Sequence, residues 1–394
     1  MSGLYGAEGL PSDDASGRPE TGPGTYRKPG RRLHGIDAAR AIAVAGMVMV
    51  HFGPDTEPDT VFGNLYRLSE GRASVLFVLL AGVGVALLSS RRSRGLRPLR
   101  ERVSVCWRLV SRGALLLPAG LWLQNLDHGV LVILQYYAVY FIFAVLVFSL
   151  SDRWLLAGTV AALTFGPLAY LAGASIAPEW YVAEPVAAGD AAGKVLHDLL
   201  LSGSYPLVTW AAPLLAGLWI GRRNLSAPAV RWTLLLGGLA VAFTAAAVAE
   251  PGVAGGPGVT ADQATLSYLA TGEPHSQMPL WMAGSIGSAC AVLGGMLLAT
   301  DRLARSMWPL VATGQMALSV YVGHLLLLAA YPEVLRRDDL PGAALSVGAF
   351  MLAAAAVCLI WRMVLPRGPL EALLAAPGRA LDHLIHRRQR AADR

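Results

Sequence analysis

Cysteine is scarce in this chain of 394 residues, and its placement excludes two classes of protein. The three cysteines, Cys106, Cys290 and Cys358, lie in or beside apolar segments, far apart in the sequence. They show neither the close spacing of a metal site nor the framework of a disulfide-stabilised secreted domain. We also expect no signal peptide, because the first apolar run lacks a cleavage motif. No short or inverted repeat is recognisable, which argues against transporters built from inverted repeats.

Charged residues are also few, and long stretches have almost none. They make up 15% of the chain, hydrophobic residues make up 55%, and the mean hydropathy is +0.50. Apolar runs of about twenty residues cross a bilayer as helices, and these runs do not alternate as membrane β-strands do. We therefore predict an all-α fold, a polytopic membrane helix bundle of about ten transmembrane helices. The predicted spans are 36–52, 73–90, 105–123, 129–150, 154–173, 206–221, 233–249, 279–299, 309–331 and 343–365.

The distribution of basic residues predicts the orientation. With both termini cytoplasmic, the tails and the inner loops carry most of the 32 Lys and Arg residues, as the positive-inside rule requires. We thus expect a multi-pass protein of the cell (inner) membrane. The net charge of +6 is then a signal of topology, and it predicts no nucleic-acid partner, because the basic residues fringe membrane spans.

Three regions follow from this pattern. Residues 1–30 are rich in Gly, Ser, Pro and charge, and are predicted to form a disordered cytoplasmic tail. Residues 31–367 form the transmembrane bundle. Residues 368–394 are basic and amphipathic, and are predicted to form a cytoplasmic tail on the inner surface, with membrane lipid as its partner.

Two polar residues stand out in the first apolar run, GIDAARAIAVAGMVMVHF. Arg40 and His51 are eleven residues apart, so they share one helix face and lie roughly 16 Å apart along its axis. A cation and an imidazole within hydrocarbon are costly unless they face protein or water, and such residues are functional candidates. Asp37, one turn before Arg40, is placed to orient it by ion pairing. The pattern predicts a site that reaches from the inner leaflet to the outer one.

Arginines gather before the third span, in RRSRGLRPLRERVSVCWRLVSR. Arg108 and Arg112 share a helix face there, and Arg222 and Arg223 lie at the inner end of the sixth span. Positive-inside signalling and attraction to anionic lipid explain the cluster most simply. The alternative is a dock for the phosphates of a cytosolic nucleotide-like cofactor, closed by these four arginines. The sequence leaves both interpretations open.

A second set of polar residues is predicted at the outer side. His51 ends the first helix, Arg72 opens the second, His128 lies in a tight turn, and His324 lies within the ninth helix. Imidazole is a natural general base, so His51 and His324 are catalytic candidates. For His128 a structural and a catalytic role are equally compatible with the sequence. Packing or interhelical hydrogen bonding is favoured for three residues predicted one or two turns into the fourth span: Gln135, Tyr136 and Tyr137.

These segments resemble the transmembrane acyltransferase superfamily, which comprises acyltransferase family 3, the heparan-α-glucosaminide N-acetyltransferases and the YeiB family. RRLHGIDAARAIAVAGMVMVHF is similar to its first helix, with Asp37, Arg40 and His51 in the order of its signature. GRASVLFVLLAGVGVALLSSRR and GSYPLVTWAAPLLAGLWIGRR resemble two further helices, and GQMALSVYVGHLL followed by RGPLEALL resembles the C-terminal YeiB domain. The chain departs from the pattern at Ala41, where Gly is usual. Its loop 53–71 also lacks the catalytic His of the eukaryotic N-acetyltransferases.

The resemblance implies an integral-membrane acyltransferase. It would move an acyl group, most simply acetyl, from cytosolic acetyl-CoA or another acyl-CoA to a hydroxyl or amine of a sugar or envelope glycoconjugate at the outer face. A carbohydrate or glycolipid is then the acceptor, no metal is needed, and a homodimer is compatible. The donor would bind near Asp37, Arg40 and the inner arginines. The base would be His51, His128 or His324, or His51 would carry the acyl group, and Arg72 would stabilise the oxyanion or grip the acceptor.

Two other classes stay open. A transporter or flippase would use the same polar pathway for a small solute or a lipid-linked group. A non-catalytic membrane partner of a cell-envelope assembly would need Arg40 and His51 only for stability. The lack of inverted repeats argues against the former, and the paired intramembrane polar residues argue against the latter.

Overall fold

A computed structural model describes residues 32–54, 63, 66–89, 99–181, 184–249 and 264–392. The predicted disordered tail 1–30 and residues 91–98 of the arginine-rich loop lie outside these ranges. No β-strand occurs within them, which agrees with the predicted all-α fold.

The fold is a succession of helices, which we number in chain order. They are α1 His34–Phe52, α2 Arg72–Ser89, α3 Leu99–Gln124, α4 Tyr136–Val147, α5 Asp152–Ile176, α6 Ala192–His197, α7 Leu207–Gly221, α8 Pro228–Val248, α9 Pro279–Arg302, α10 Trp308–Gln315, α11 Ala317–Ala330, α12 Pro332–Leu335, α13 Leu340–Val364 and α14 Pro369–Ala392. Short 3₁₀ turns cover Pro178–Trp180 and Leu266–Ala270, and a π-helical turn, Asp198–Ser202, follows α6.

Within the described ranges, six helices are long and apolar enough to cross a membrane. They are α1, α2, α5, α8, α9 and α13. Two further pairs of helices pass the same test together but are bent. In one, α6 and its π-turn meet α7 at 57°, and in the other, α10 meets α11 at 78°. If each bent pair is one span, the number of spans rises to eight. The chain is therefore a multi-pass membrane protein by the length and composition of its helices. The count of ten spans and the side of each terminus stay predictions.

Two predicted spans have a different form from the expected one. The predicted span 129–150 begins as a helix only at Tyr136, so Gln135 is its N-cap residue rather than a residue inside it. The predicted span 309–331 is broken at Met316, whose ψ of 26° departs from helical geometry. Apolar composition alone cannot show such breaks, because backbone groups freed at a bend are satisfied by neighbouring helices that the local sequence does not reveal.

Helix α1 lies at the centre of the bundle. It packs against α2, α9, α10, α11 and α13, and small side chains such as Ala39 and Ala43 are fully buried in it. Small residues let helix backbones approach closely, which is how membrane helices gain packing energy. The first helix is therefore held on most of its circumference, and the polar residues it carries face protein.

Gly314 in α10 makes the closest of these approaches to α1. A methyl group at this position would overlap the backbone carbonyl of Asp37. We expect Gly314→Ala to lower the melting temperature of the purified protein strongly, because overpacking costs about 1–3 kcal/mol and here it would push against backbone. Gly323→Ala in α11 is the matched control, since no atom lies within 4 Å of its added methyl group. Equal melting of the two variants would contradict this account of the α1–α10 contact.

Candidate functional site

Two histidines that are distant in the sequence meet where α1 packs against α11. His51 lies in the last turn of α1 and His324 lies in α11. His51 Nδ1 and His324 Nε2 are 2.9 Å apart, and the two rings are nearly parallel, with centroids 5.1 Å apart and an interplanar angle of 13°. The sequence indicated both residues as candidates but gave no sign that they form a pair.

The surroundings of His324 suggest where the protons of this pair lie. His324 is fully buried, against the rings of Phe52, Tyr321 and Phe350. Its Nδ1 lacks a well-formed hydrogen bond but lies near the carbonyls of the preceding helical turn. Because a carbonyl is an acceptor, a proton on Nδ1 is favoured there. In the hydrogen bond between the two histidines, His324 Nε2 is then the acceptor and His51 Nδ1 the donor. This tautomer leaves the lone pair of His51 Nε2 free.

Asp37 and Arg40 form the ion pair that their spacing predicts. Arg40 Nη1 lies 2.8 Å from Asp37 Oδ1, and the Arg40 side chain is 31% exposed whereas the Asp37 side chain is buried. Gln315, the last residue of α10, donates from Nε2 to Asp37 Oδ2 at 3.5 Å. Asp37 therefore orients Arg40. Through Gln315 it also contacts the end of α10, next to the bend that leads into α11.

The predicted inner arginines separate into two groups. Arg40 and Arg108 lie within electrostatic range of Arg112. Arg108 pairs with Asp382 of α14 at 2.5 Å, whereas no ion pair of Arg112 occurs within the described ranges. Arg112 is thus a partly buried cation that two others repel, and a bound anion would relieve this repulsion.

Arg222 and Arg223 belong to the second group, and both pair with Asp152 at the start of α5. Arg222 also donates to the carbonyls of Phe148 and Leu150, at 2.9 Å and 2.7 Å. These contacts cap the end of α4 and anchor the two guanidinium groups. The geometry assigns them a structural role in the connection between α4 and α5.

Buried polar atoms without hydrogen-bond partners in the described ranges are found on Gln135, Tyr137 and Gln315. The hydroxyl of Tyr137 is buried and has no hydrogen-bond partner in the part of the chain that is described, and it lies within electrostatic range of Arg40 and Tyr321. Both polar atoms of the Gln135 side chain and Oε1 of Gln315 are also buried and have no hydrogen-bond partner among the described residues. Gln135 and Tyr137 are therefore buried without a side-chain hydrogen bond to the described residues, and Tyr137 packs against Phe77. Tyr136 does make one, to Asp198 at 2.5 Å.

His128 has both ring nitrogens occupied. Nε2 donates to the Leu123 carbonyl at 2.9 Å, and Nδ1 accepts from the Val130 amide at 3.1 Å. Burial lowers the pKa of His128, so its imidazole is neutral at pH 7. Arg336 also donates to the His128 carbonyl at 2.8 Å. The geometry therefore favours the structural role among the two that the sequence allows.

Arg72 opens α2, and its Nη1 lies 3.5 Å from the carbonyl of Arg67. That single long contact is weak, so the guanidinium is not fixed by the turn before α2. Its position is compatible with the predicted contact to an acceptor, and the histidine pair does not include it.

Sequence reasoning missed His275. This residue lies within electrostatic range of His51, in the loop before α9. It has a φ of 58°, and Gln277 has a φ of 67°; they are the two non-glycine residues with positive φ in the described ranges. The sequence signal was weak, because a histidine in a loop is ordinarily a solvated surface residue.

Residues 32–246 match the family model of the heparan-alpha-glucosaminide N-acetyltransferase catalytic domain, which is more than half of the chain. The match covers α1 to α7 and nearly all of α8, with Asp37, Arg40 and His51, whereas His275 and His324 lie beyond it. A search of curated proteins gave no match. Among the described residues, no group of three His, Cys, Asp or Glu side chains is arranged to hold a metal ion.

Proposed function

Because the chain belongs to the heparan-alpha-glucosaminide N-acetyltransferase catalytic-domain family, we propose that it transfers an acetyl group across the membrane. The donor is cytosolic acetyl-CoA or another acyl-CoA, and the acceptor is a hydroxyl or amine of a sugar or glycoconjugate at the outer face. The observation that carries this proposal is the hydrogen-bonded pair of His51 and His324, in which His51 lies on the same face of α1 as Arg40.

The donor's phosphates bind at Arg40, Arg108 and Arg112. Guanidinium groups form strong, charge-assisted contacts with phosphate, and Arg112 is without an acidic partner within the described ranges. Arg222 and Arg223 are left out of this dock, because both pair with Asp152 at the connection between α4 and α5, where Arg222 also donates to two backbone carbonyls.

The pantetheine arm of the donor runs beside α1 towards His51. Eleven residues of helix span roughly 16 Å, a length that a pantetheine arm can bridge. The arm carries amide groups, and Gln135, Tyr137 and Gln315 offer buried polar atoms without partners among the described residues. Leaving such atoms unpaired costs about 1–3 kcal/mol each, so a polar ligand there stabilises the protein.

The histidine pair then performs the transfer. His51 Nε2 takes the proton from the acceptor hydroxyl or amine as its oxygen or nitrogen attacks the thioester carbonyl. The C–S bond breaks, and the thiolate of CoA takes the proton from the imidazolium. His324 holds His51 in the tautomer that has a free Nε2 and stabilises the imidazolium through the 2.9 Å hydrogen bond, a positioning role like that of a triad's third member.

A transporter is the second candidate, and the two bent helix pairs favour it. Helices broken near the middle of the membrane form the binding sites of many transporters. In such a protein the Arg40–His51 pathway would conduct a small solute, and acyl-CoA would have no effect on its movement.

Reconstituted vesicles distinguish the two functions. We expect vesicles that enclose glucosamine to form N-acetylglucosamine inside when labelled acetyl-CoA is added outside, and protein-free vesicles to form none. Loss of enclosed glucosamine to the medium without acetyl-CoA, and without product, would support the transporter. A purified protein that shows no acetyl-CoA binding by calorimetry would overturn the acyltransferase proposal.

A further inference from the structure

We propose that the loop 271–278 is an acceptor subsite, in which His275 and Trp281 hold a sugar through its hydroxyl or amino groups. The inference rests on the proposed function and adds to it the residues that select the acceptor. Both residues lie beyond the segment that matches the family.

The loop holds His275 in a left-handed backbone conformation. A φ of 58° is costly for a residue with a side chain, by about 1–3 kcal/mol, and persists only where the surroundings impose it. Gln277 imposes it here. Its Oε1 accepts from Trp210 Nε1 at 2.7 Å and from Thr209 Oγ1 at 3.0 Å, and its Nε2 donates to the Ser204 carbonyl at 2.8 Å. The fixed loop therefore presents the imidazole in one direction.

The two rings that face each other here have polar atoms without partners. His275 Nδ1 and Trp281 Nε1 are both buried, and neither makes a hydrogen bond to any described residue. Trp281 is 1% exposed, and the ring centroids are 5.9 Å apart with an interplanar angle of 29°. Two neighbouring orphaned nitrogens are rare in a folded protein and call for an explanation such as a ligand.

His275 lies close both to His51 and to accessible surface. His275 lies within electrostatic range of His51, and its side chain is half-buried. The turn before α2 closes against it, since a methyl group on Gly71 would lie 3.2 Å from His275 Nε2. A ligand held here would lie near His51.

The chemistry of the two nitrogens defines the ligand. Burial lowers the pKa of His275 to about 4, so its imidazole is neutral at pH 7 and offers one donor and one acceptor. Trp281 Nε1 is a donor only. The ligand must supply both donor and acceptor groups, which a sugar or amino sugar does and an acyl chain does not.

Equilibrium binding of glucose and glucosamine to the purified protein, measured by saturation-transfer NMR without any acyl donor, tests the subsite. We expect His275→Asn to weaken binding about tenfold, as for the loss of one good hydrogen bond. Asn tolerates positive φ, so the loop should keep its form. Trp281→Phe removes the N–H together with the fused five-membered ring, so it should also weaken sugar binding. Because Trp281 is 1% exposed, this change leaves a cavity and lowers the melting temperature of the free protein, and binding is therefore compared at a temperature at which the variant is folded.

His34→Asn is the matched control. His34 Nδ1 also has no partner within the described ranges, and its ring meets Trp308 edge-on at 5.7 Å, but it lies at the first turn of α1. Equal sugar affinity in His275→Asn and the unmodified protein would overturn the subsite, as would the absence of sugar binding altogether. Acetyl-CoA calorimetry separates the two proposals: intact donor binding with failed sugar binding overturns the subsite alone, and failed donor binding overturns the proposed function.

Discussion

His51→Gln is expected to bind acetyl-CoA normally and to lose acetyl transfer, with turnover reduced by about 10²- to 10⁴-fold. Gln keeps a polar side chain near His324, so the helix contact is preserved, but an amide cannot take the acceptor's proton. Binding is measured by calorimetry and transfer in the vesicle assay. If His51 served only to hold α1 and α11 together, its hydrogen bond would contribute roughly 0.6 kcal/mol to the free energy of unfolding. The Gln variant would then be active.

His324→Asn separates positioning from structure in the same assay. Asn can still contact His51 Nδ1, but it stabilises the imidazolium less well. We expect an intermediate loss of turnover and a shift in the pH profile of turnover, with acetyl-CoA affinity unchanged. A variant with the unmodified pH profile would show that His324 only packs against Phe52 and Phe350. Full activity of His51→Gln together with loss in His324→Asn would transfer the role of base to His324.

The helical character of the chain and its first-helix motif are predictable from sequence, because each depends on local patterns. Apolar length determines a span, and helical spacing alone places Asp37 one turn from Arg40, as the 2.8 Å ion pair confirms. The family resemblance follows from the same short motifs, and the match over residues 32–246 confirms it.

The remaining features depend on contacts between distant residues. His51 and His324 are 273 positions apart, and they meet where α1 packs against α11, the helix that follows the bend at Met316. Arg222 looked like a member of the phosphate dock, but Asp152, 70 positions away, pairs with it. His275 is prominent only through its backbone conformation and its unpartnered nitrogen, neither of which leaves a pattern in the sequence.

Arg112→Gln is expected to weaken acetyl-CoA binding by about 10- to 150-fold, the equivalent of roughly 1.5–3 kcal/mol for a charge-assisted contact. The physical reason is that Arg112 is a partly buried cation near Arg40 and Arg108 without an ion pair of its own among the described residues. The substitution removes a like-charge repulsion from the free protein. Its melting temperature should therefore stay level or rise while donor affinity falls, and that combination separates a binding role from a structural one.

Two controls make the test specific for phosphate. Arg153→Gln removes an exposed arginine of α5 and changes the net charge by the same amount. It should leave acetyl-CoA affinity unchanged if the loss in Arg112→Gln does not come from net charge alone. S-acetylpantetheine has the donor's thioester arm without the nucleotide phosphates, so its affinity should be the same for Arg112→Gln and the unmodified protein. Equal losses for both ligands would mean that Arg112 acts on the arm rather than on the phosphates. A larger loss in Arg222→Gln than in Arg112→Gln would place the dock beside Asp152 and overturn the division of the arginines into two groups.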